Sequence, residues 1–298
     1  MFGEEGTASG KLTVAEKTTP SIASASESKV TGTFRAGKTV ISPKHAAAYR
    51  RRDRFDTRKT VTELVLSENP FDIAGAVAAL DPHKFTMNDR GLSSGSHIIL
   101  WISEDGKVVM NATVSQPMMV YAGSTLEEGF MNRELKAELT ENTPGRVAGR
   151  VYTPKPVKVK DDSYELDVTF STDVAARAVD AKLPAGGGEP GKALQGLLAA
   201  MAKKDGANFK RSLSKRVVGK LYDSQYRTEA ANLEFAVEML SAELPKTDMK
   251  VVGGDLQGDT AILEVEGVTE KVKMVYFIRM LKEGGVWTFD EAFMAGFR

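Results

Sequence analysis

Residues 32–39, GTFRAGKT, fit the phosphate-binding pattern G-x-x-x-x-G-K-[ST] letter for letter. Such a loop needs a buried strand before it and a helix after it. Backbone N–H groups then close around a phosphate at the helix N-terminus. The flanking residues here do not supply that setting. Upstream lies SIASASESKVT, which is polar. Downstream, Val40-Ile41 favours extension, and Pro43 holds Ser42 away from helical angles. The stretch predicts a strand over 30–35, a tight turn at Ala36-Gly37 and a returning strand over 38–41. A phosphate-loop nucleotide-binding protein is therefore the least favoured reading.

Other reactive residue types are sparse. His45, His83 and His97 lie far apart, and no pair has the i, i+4 spacing of a helical zinc site. His45 and His97 are expected to open strands, and His83 to follow Pro82 in a loop. No G-x-S-x-G elbow is present. The nearest residues, Gly91-Leu92-Ser93-Ser94-Gly95, read as a loop with no strand feeding them. Arg50, Arg51, Arg52, Arg54, Arg58 and Lys59 form a basic run interleaved with Tyr49 and Phe55, which could contact phosphate or nucleic acid. A solvated strand end balanced by Asp53 and Asp56 is the favoured reading. No residue is assigned a catalytic or metal-ligating role, and no cofactor is expected.

Composition sets further bounds. The 298 residues are enough for two domains. Lys+Arg and Asp+Glu each total 40, so the zero net charge argues against a dominant nucleic-acid role. The absence of cysteine removes disulfides, thiolate nucleophiles and cysteine-ligated metal centres. No apolar run approaches the roughly 20 residues of a helical membrane span.

The elements follow from hydrophobic period. Residues 1–28, rich in Ser, Thr, Ala and Gly, read as a flexible leader. MFGEEGTASG has neither the basic head nor the apolar stretch of a signal peptide. Residues 29–173 carry eight or nine short strands at turn-separated spacing, with one helical piece over 71–80 between Asn69-Pro70 and Asp81-Pro82. That pattern predicts a β-sandwich or barrel. Residues 174–191 end in LPAGGGEPG and read as a linker. Beyond it the period becomes helical at Leu194, Leu197, Leu198 and Met201, at Phe209, Leu213 and Val217, and at Leu233, Val237, Leu240 and Leu244. Strands then return, with Val272, Met274, Tyr276, Ile278 and Met280 alternating on one face. The fold class is α+β, an N-terminal β-sandwich or barrel joined to helices packed on a curved antiparallel sheet over 192–298.

Two resemblances accompany these readings. ALQGLLAAMAKKDGANFKRSLS and KVKMVYFIRMLKEGGVWTFDEAF resemble the opening helices and closing strands of the cone-shaped nuclear-transport-factor-like superfamily, which includes ketosteroid isomerase. GTFRAGKTVISPKHAAAYRRRDRFD, the Ser-Glu-Asn-Pro turn, PGRVAGRVYTPKP and YELDVTF resemble a β-rich domain of uncharacterised bacterial proteins, often exported. The cone resemblance implies an apolar pocket under the sheet, with Tyr222, Tyr226, Met274, Tyr276, Arg279 and Trp287 as candidates to line it. Asp290 and Glu291 follow Trp287 but match no catalytic position of the family. The bland alternative makes Met274, Tyr276 and Trp287 ordinary core, and Arg279, Asp290 and Glu291 surface.

The expectation is a bacterial exported protein, periplasmic or secreted in mature form, with a cytoplasmic location as the alternative. It would bind a small apolar ligand or a protein partner, without nucleic acid and without a membrane span. The cone resemblance also implies a homodimer through the sheet face. The competing reading is an isomerase or dehydratase using the cone pocket, which requires a buried carboxylate of raised pKa.

Overall fold

A computed structural model describes residues 28–115, 118–124, 135–159, 162–222 and 229–298. All but Ser28 of the leader expected over 1–28, and Tyr226, lie outside the described residues. The chain is α+β with two sheets. It opens with the hairpin β1 (Lys29–Ala36) and β2 (Thr39–Ile41), so the eight phosphate-loop-like residues are strand, turn and strand. Both glycines of that pattern have a structural cause. Gly32, at φ 112°, lies where a Cβ would stand 2.0 Å from the Asp167 carbonyl oxygen of a neighbouring strand. Gly37 turns the hairpin.

Next come β3 (His45–Arg52) and β4 (Thr60–Ser67), paired antiparallel. Three short helices follow, α1 (Ile73–Ala78), α2 (Pro82–Asn88) and α3 (Arg90–Ser93). The sequence predicts one helix and two loops here, and the difference lies in local capping. Asp81 Oδ1 accepts from Lys84 N at 3.0 Å with Pro82 in the first turn, so the Asp-Pro pair that stops α1 also starts α2. Asp89 caps α3 in the same way, at 3.0 Å from Leu92 N. His83 is therefore helical.

The strands β5 (His97–Ser103), β6 (Val108–Ser115), β7 (Met118–Ser124), β8 (Lys136–Asn142), β9 (Arg146–Tyr152), β10 (Val157–Val159) and β11 (Asp162–Ala175) complete the first sheet. Its order runs β2-β1-β11-β3-β4-β5-β6-β7, with β9 and β10 also on β11, and β8 on β9. β11 is the hinge of this layout. Most of its length lies antiparallel to β1 and β9, and its last two residues, Val174 and Ala175, pair parallel with β3. Phe34, Leu166, Val168, Phe170 and Val151 from one part share a single core with Leu64, Leu66, Ile98, Leu100 and Ile102 from the other. On the opposite face of β3–β5, the three helices cover a smaller cluster that includes Tyr49, Val65, Ala76, Leu92 and Ile99. β4 is thus buried on both faces.

The segment expected to be a linker contributes structure. β12 (Ala181–Leu183) pairs with β13 (Thr247–Gln257), and α4 (Gly188–Lys203) begins inside the Gly/Pro-rich stretch. α5 (Gly206–Arg211), α6 (Lys215–Tyr222) and α7 (Glu229–Glu243) follow, then β14 (Thr260–Thr269), β15 (Val272–Glu283) and β16 (Val286–Phe297). The second sheet is antiparallel in the order β12-β13-β14-β15-β16. Helical residues Leu194, Leu197, Phe209, Leu213, Val217 and Leu240 pack on Leu263, Val265, Met274, Tyr276, Ile278 and Met280.

The two parts are joined through the backbone. Phe297 N donates to Arg54 O at 3.2 Å, and Thr57 N donates to Phe297 O at 2.9 Å. Gly296, at φ 149°, makes this contact feasible, because a Cβ there would stand 2.2 Å from Arg54 O.

Candidate functional site

The basic run sits where the two parts meet. Arg50, Arg51 and Arg52 end β3, and Arg54 lies in the turn that reaches Phe297. With Arg177 and Lys182 they line a cleft of about 450 Å³. Val77, Leu80, Val174, Ile262, Phe277, Phe293 and Ala295 supply much of its apolar wall. The expected solvated strand end holds only for the outer residues. Arg58 donates to Asp56 from Nε at 2.8 Å, and Lys59 lies 3.7 Å from the same carboxylate. Of the inner four, Arg52 reaches across the junction to Glu264 and the Arg54 backbone meets Phe297, whereas Arg51 turns the other way, toward Glu63.

Most of the cleft's cations are already matched. Arg52 lies 3.4 Å from Glu264, Arg54 3.5 Å from Asp81, and Lys182 2.5 Å from Asp255. Arg177 donates from Nε to Val77 O at 2.9 Å and from Nη2 to Ala79 O at 2.5 Å, capping the end of α1. Burial pushes the Arg177 guanidinium below its ordinary value. Arg50 differs from all of these. Its Nε is buried, and it has no hydrogen-bond partner among the described residues.

Behind the cleft wall, Arg51 belongs to a buried network centred on Glu63, which is fully inaccessible to solvent. Glu63 accepts from Arg51 Nε at 2.7 Å, from the Tyr49 hydroxyl at 2.5 Å and from His83 Nδ1 at 2.8 Å. The Tyr49 hydroxyl also meets Thr86 Oγ1 at 2.7 Å. The Trp101 ring stands edge-on to His83 at 5.4 Å, and the Arg51 guanidinium lies 5.2 Å from its centroid. Burial pushes the Glu63 carboxyl up, but the His83 hydrogen bond and the Arg51 charge outweigh it and hold the group below its usual range. Burial, then the Glu63 charge, push the Tyr49 hydroxyl above its ordinary value, so it remains a neutral donor. A His-Glu pair of this kind can serve as a base. Among the described residues, however, no hydroxyl is hydrogen-bonded to the other ring nitrogen of His83. The network clamps α2 to the sheet and fixes Arg51 at the cleft.

The sequence gives little sign of this network. Glu63 reads as the charged face of a strand, His83 as a loop residue and Arg51 as part of a solvated run. The one available signal is a charge inside the otherwise apolar Val61–Leu66 segment, matched by Tyr49 and Arg51 at alternate positions of the preceding strand.

Of the residues expected to line a cone pocket, Tyr222, Met274, Tyr276 and Trp287 belong to or border one apolar core, and Arg279 does not. Met274 and Tyr276 are buried in the helix-covered core, where the Tyr276 hydroxyl lies 3.0 Å from Thr269 Oγ1. Trp287 packs at the edge of that core, with Lys282 Nζ 5.8 Å from its ring. Tyr222 stacks under Lys210 Nζ at 4.9 Å. Arg279 points to the other side of the sheet and lines a second cleft shared with α1–α3. A recess of about 240 Å³ between α4 and β13 is lined by none of these residues.

Asp290 departs from the surface position that its sequence context suggests. A register shift between β15 and β16 leaves it without a strand partner, and it is buried. It accepts from Ser214 Oγ at 2.8 Å, Arg216 Nε at 2.9 Å and Arg279 Nε at 2.8 Å, and Arg279 also reaches Glu291. Burial raises the Asp290 carboxyl, but Arg216, Ser214 and Arg279 outweigh it and hold the group below its ordinary value. This carboxylate fastens α6 to β16 and is the opposite of a proton-abstracting base poised near neutrality.

Among the described residues, no group of three or more His, Asp or Glu side chains could hold a metal ion, and no helix is long and apolar enough to cross a membrane. No protein-family model, curated protein or solved structure matches the chain.

Proposed function

We propose that this is a non-catalytic binding protein, and that its ligand lies in the cleft between a sandwich-like N-terminal domain and a cone-like C-terminal domain. One observation carries the reading: an apolar-walled space of about 450 Å³ receives the inner arginines of the basic run at the domain junction. That volume lies in the range of small-molecule sites, which favour domain interfaces and combine apolar walls with a few placed polar groups. The ligand is a small molecule with an apolar body. Tyr222, Met274, Tyr276 and Trp287 then serve the core and rim of the C-terminal part, and Arg279 serves its ion-pair network. An exported, periplasmic or secreted setting fits the Ser/Thr-rich leader and the absence of cysteine. An isomerase reading is disfavoured, because the buried Asp290 is held ionised by two arginines.

Native mass spectrometry of purified protein, with denaturing extraction, tests the proposal. Ala176 lines the cleft and is exposed, so Ala176→Trp obstructs the space without disturbing the core. The expected result is a copurified small molecule that the variant no longer carries. A molecule retained by Ala176→Trp would refute the assignment of the site.

A further inference from the structure

We infer that the cleft recognises a carboxylate on an apolar body, and that Arg50 is the residue that binds the carboxylate. This rests on the cleft being the binding site. Of the six cations there, Arg51, Arg52, Arg54 and Lys182 are each matched to a carboxylate. Arg177 contributes charge but few free donors, because its guanidinium is committed to the Val77 and Ala79 carbonyls. Arg50 is left with a buried Nε and no hydrogen-bond partner among the described residues.

A buried donor without an acceptor is costly, and more so when it carries charge. The Nε itself is out of reach of the cleft, but a ligand carboxylate there would pair the charge by taking two parallel N–H bonds from the terminal guanidinium nitrogens of Arg50, which lines the space. The unmatched charge of Arg177 nearby favours a negative head. The apolar wall of Val174, Ile262 and Phe277 accommodates the rest of the molecule. One guanidinium with free donors suits one planar carboxylate better than a phosphate, whose further oxygens would need donors that Arg177 has committed to the Val77 and Ala79 carbonyls. Arg50 stays at this position because its strand is fixed on both sides. β4 pairs with it antiparallel, and the end of β11 pairs with it in parallel.

The test is calorimetric titration of the full chain with octanoate, 1-octanol and octyl phosphate, which share one apolar body. The wild type should bind octanoate more tightly than either of the others. Arg50→Gln should weaken octanoate about 10- to 100-fold, as expected for losing a charge-assisted pair, and leave octanol unchanged. Arg50→Lys should fall between, because it keeps the charge and loses the fork. Unchanged thermal melting of both variants shows that they are folded.

Equal affinity for octanol and octanoate would overturn the inference, as would octanoate binding unaffected by Arg50→Gln. Octyl phosphate binding more tightly than octanoate, with the same dependence on Arg50, would overturn the choice of carboxylate. If Ala176→Trp abolishes binding and Arg50→Gln does not alter it, the cleft stands and the head-group assignment falls. If neither variant alters octanoate binding, the cleft itself is not the site.

Discussion

Removing the Glu63 carboxylate isolates the network behind the cleft. Glu63→Ala leaves the Tyr49 hydroxyl, Arg51 Nε and His83 Nδ1 without their shared acceptor in a fully buried place. Breaking a buried charge pair from one side costs about 3–5 kcal/mol, because the remaining charge stays desolvated. For a folding unit of 150–250 residues each kcal/mol shifts the melting midpoint by about 2–4 °C, so a fall of roughly 6–20 °C is expected. Tyr49→Phe removes one donor and leaves the carboxylate with Arg51 and His83, so its cost should be smaller, about 1.5–3 kcal/mol at most.

The measurement is urea unfolding followed by tryptophan fluorescence, since Trp101 stands against both His83 and Arg51. The pH dependence gives a second check. A folded-state pKa held below the unfolded value contributes stability that is fully present above the unfolded carboxyl range of about 4.3. That stability is lost as pH falls through the depressed folded value. The gap between wild type and Glu63→Ala should therefore be constant from neutral pH to about pH 5 and shrink with further acid. A cost within about 0.5 kcal/mol, the range of an ordinary surface substitution, would refute the reasoning. So would a gap that widens on acidification.

Gly296→Ala should uncouple the two domains, because its Cβ would press on Arg54 O at 2.2 Å. Calorimetry should then resolve two thermal transitions where the wild type shows one, and a single unshifted transition would contradict the proposed junction. Asp290→Ala should destabilise the second domain by about 3 kcal/mol, leaving Arg216, Arg279 and Ser214 without their common acceptor. Hydrogen exchange should report the loss as faster opening of α6, and unchanged protection there would count against the fastening role.

The α+β class and most element positions follow from local chemistry. Alternation over Val272, Met274, Tyr276, Ile278 and Met280 specifies a strand, because side chains on a pleat repeat every two residues. Pro43 and the β-branched pair before it keep residues 32–39 from closing around a phosphate. The short helices α2 and α3 were also encoded locally, in the Asp81-Pro82 and Asp89 caps. They are overlooked when those residues are read only as terminators.

Tertiary structure decided the rest. Whether Glu63 faces water depends on α2 arriving over β4, which no window of neighbouring residues specifies. Whether Asp290 is surface or core depends on a one-residue register shift between β15 and β16. The basic run looks solvated in sequence because Asp53 and Asp56 lie beside it. Only the approach of β16, made feasible by the missing side chain of Gly296, turns its inner arginines into the wall of a cleft. Residue types are set one position at a time, whereas burial and pairing are set by elements far apart in the chain. The sequence by itself therefore determined which groups exist, and only the folded structure decided which of them face one another.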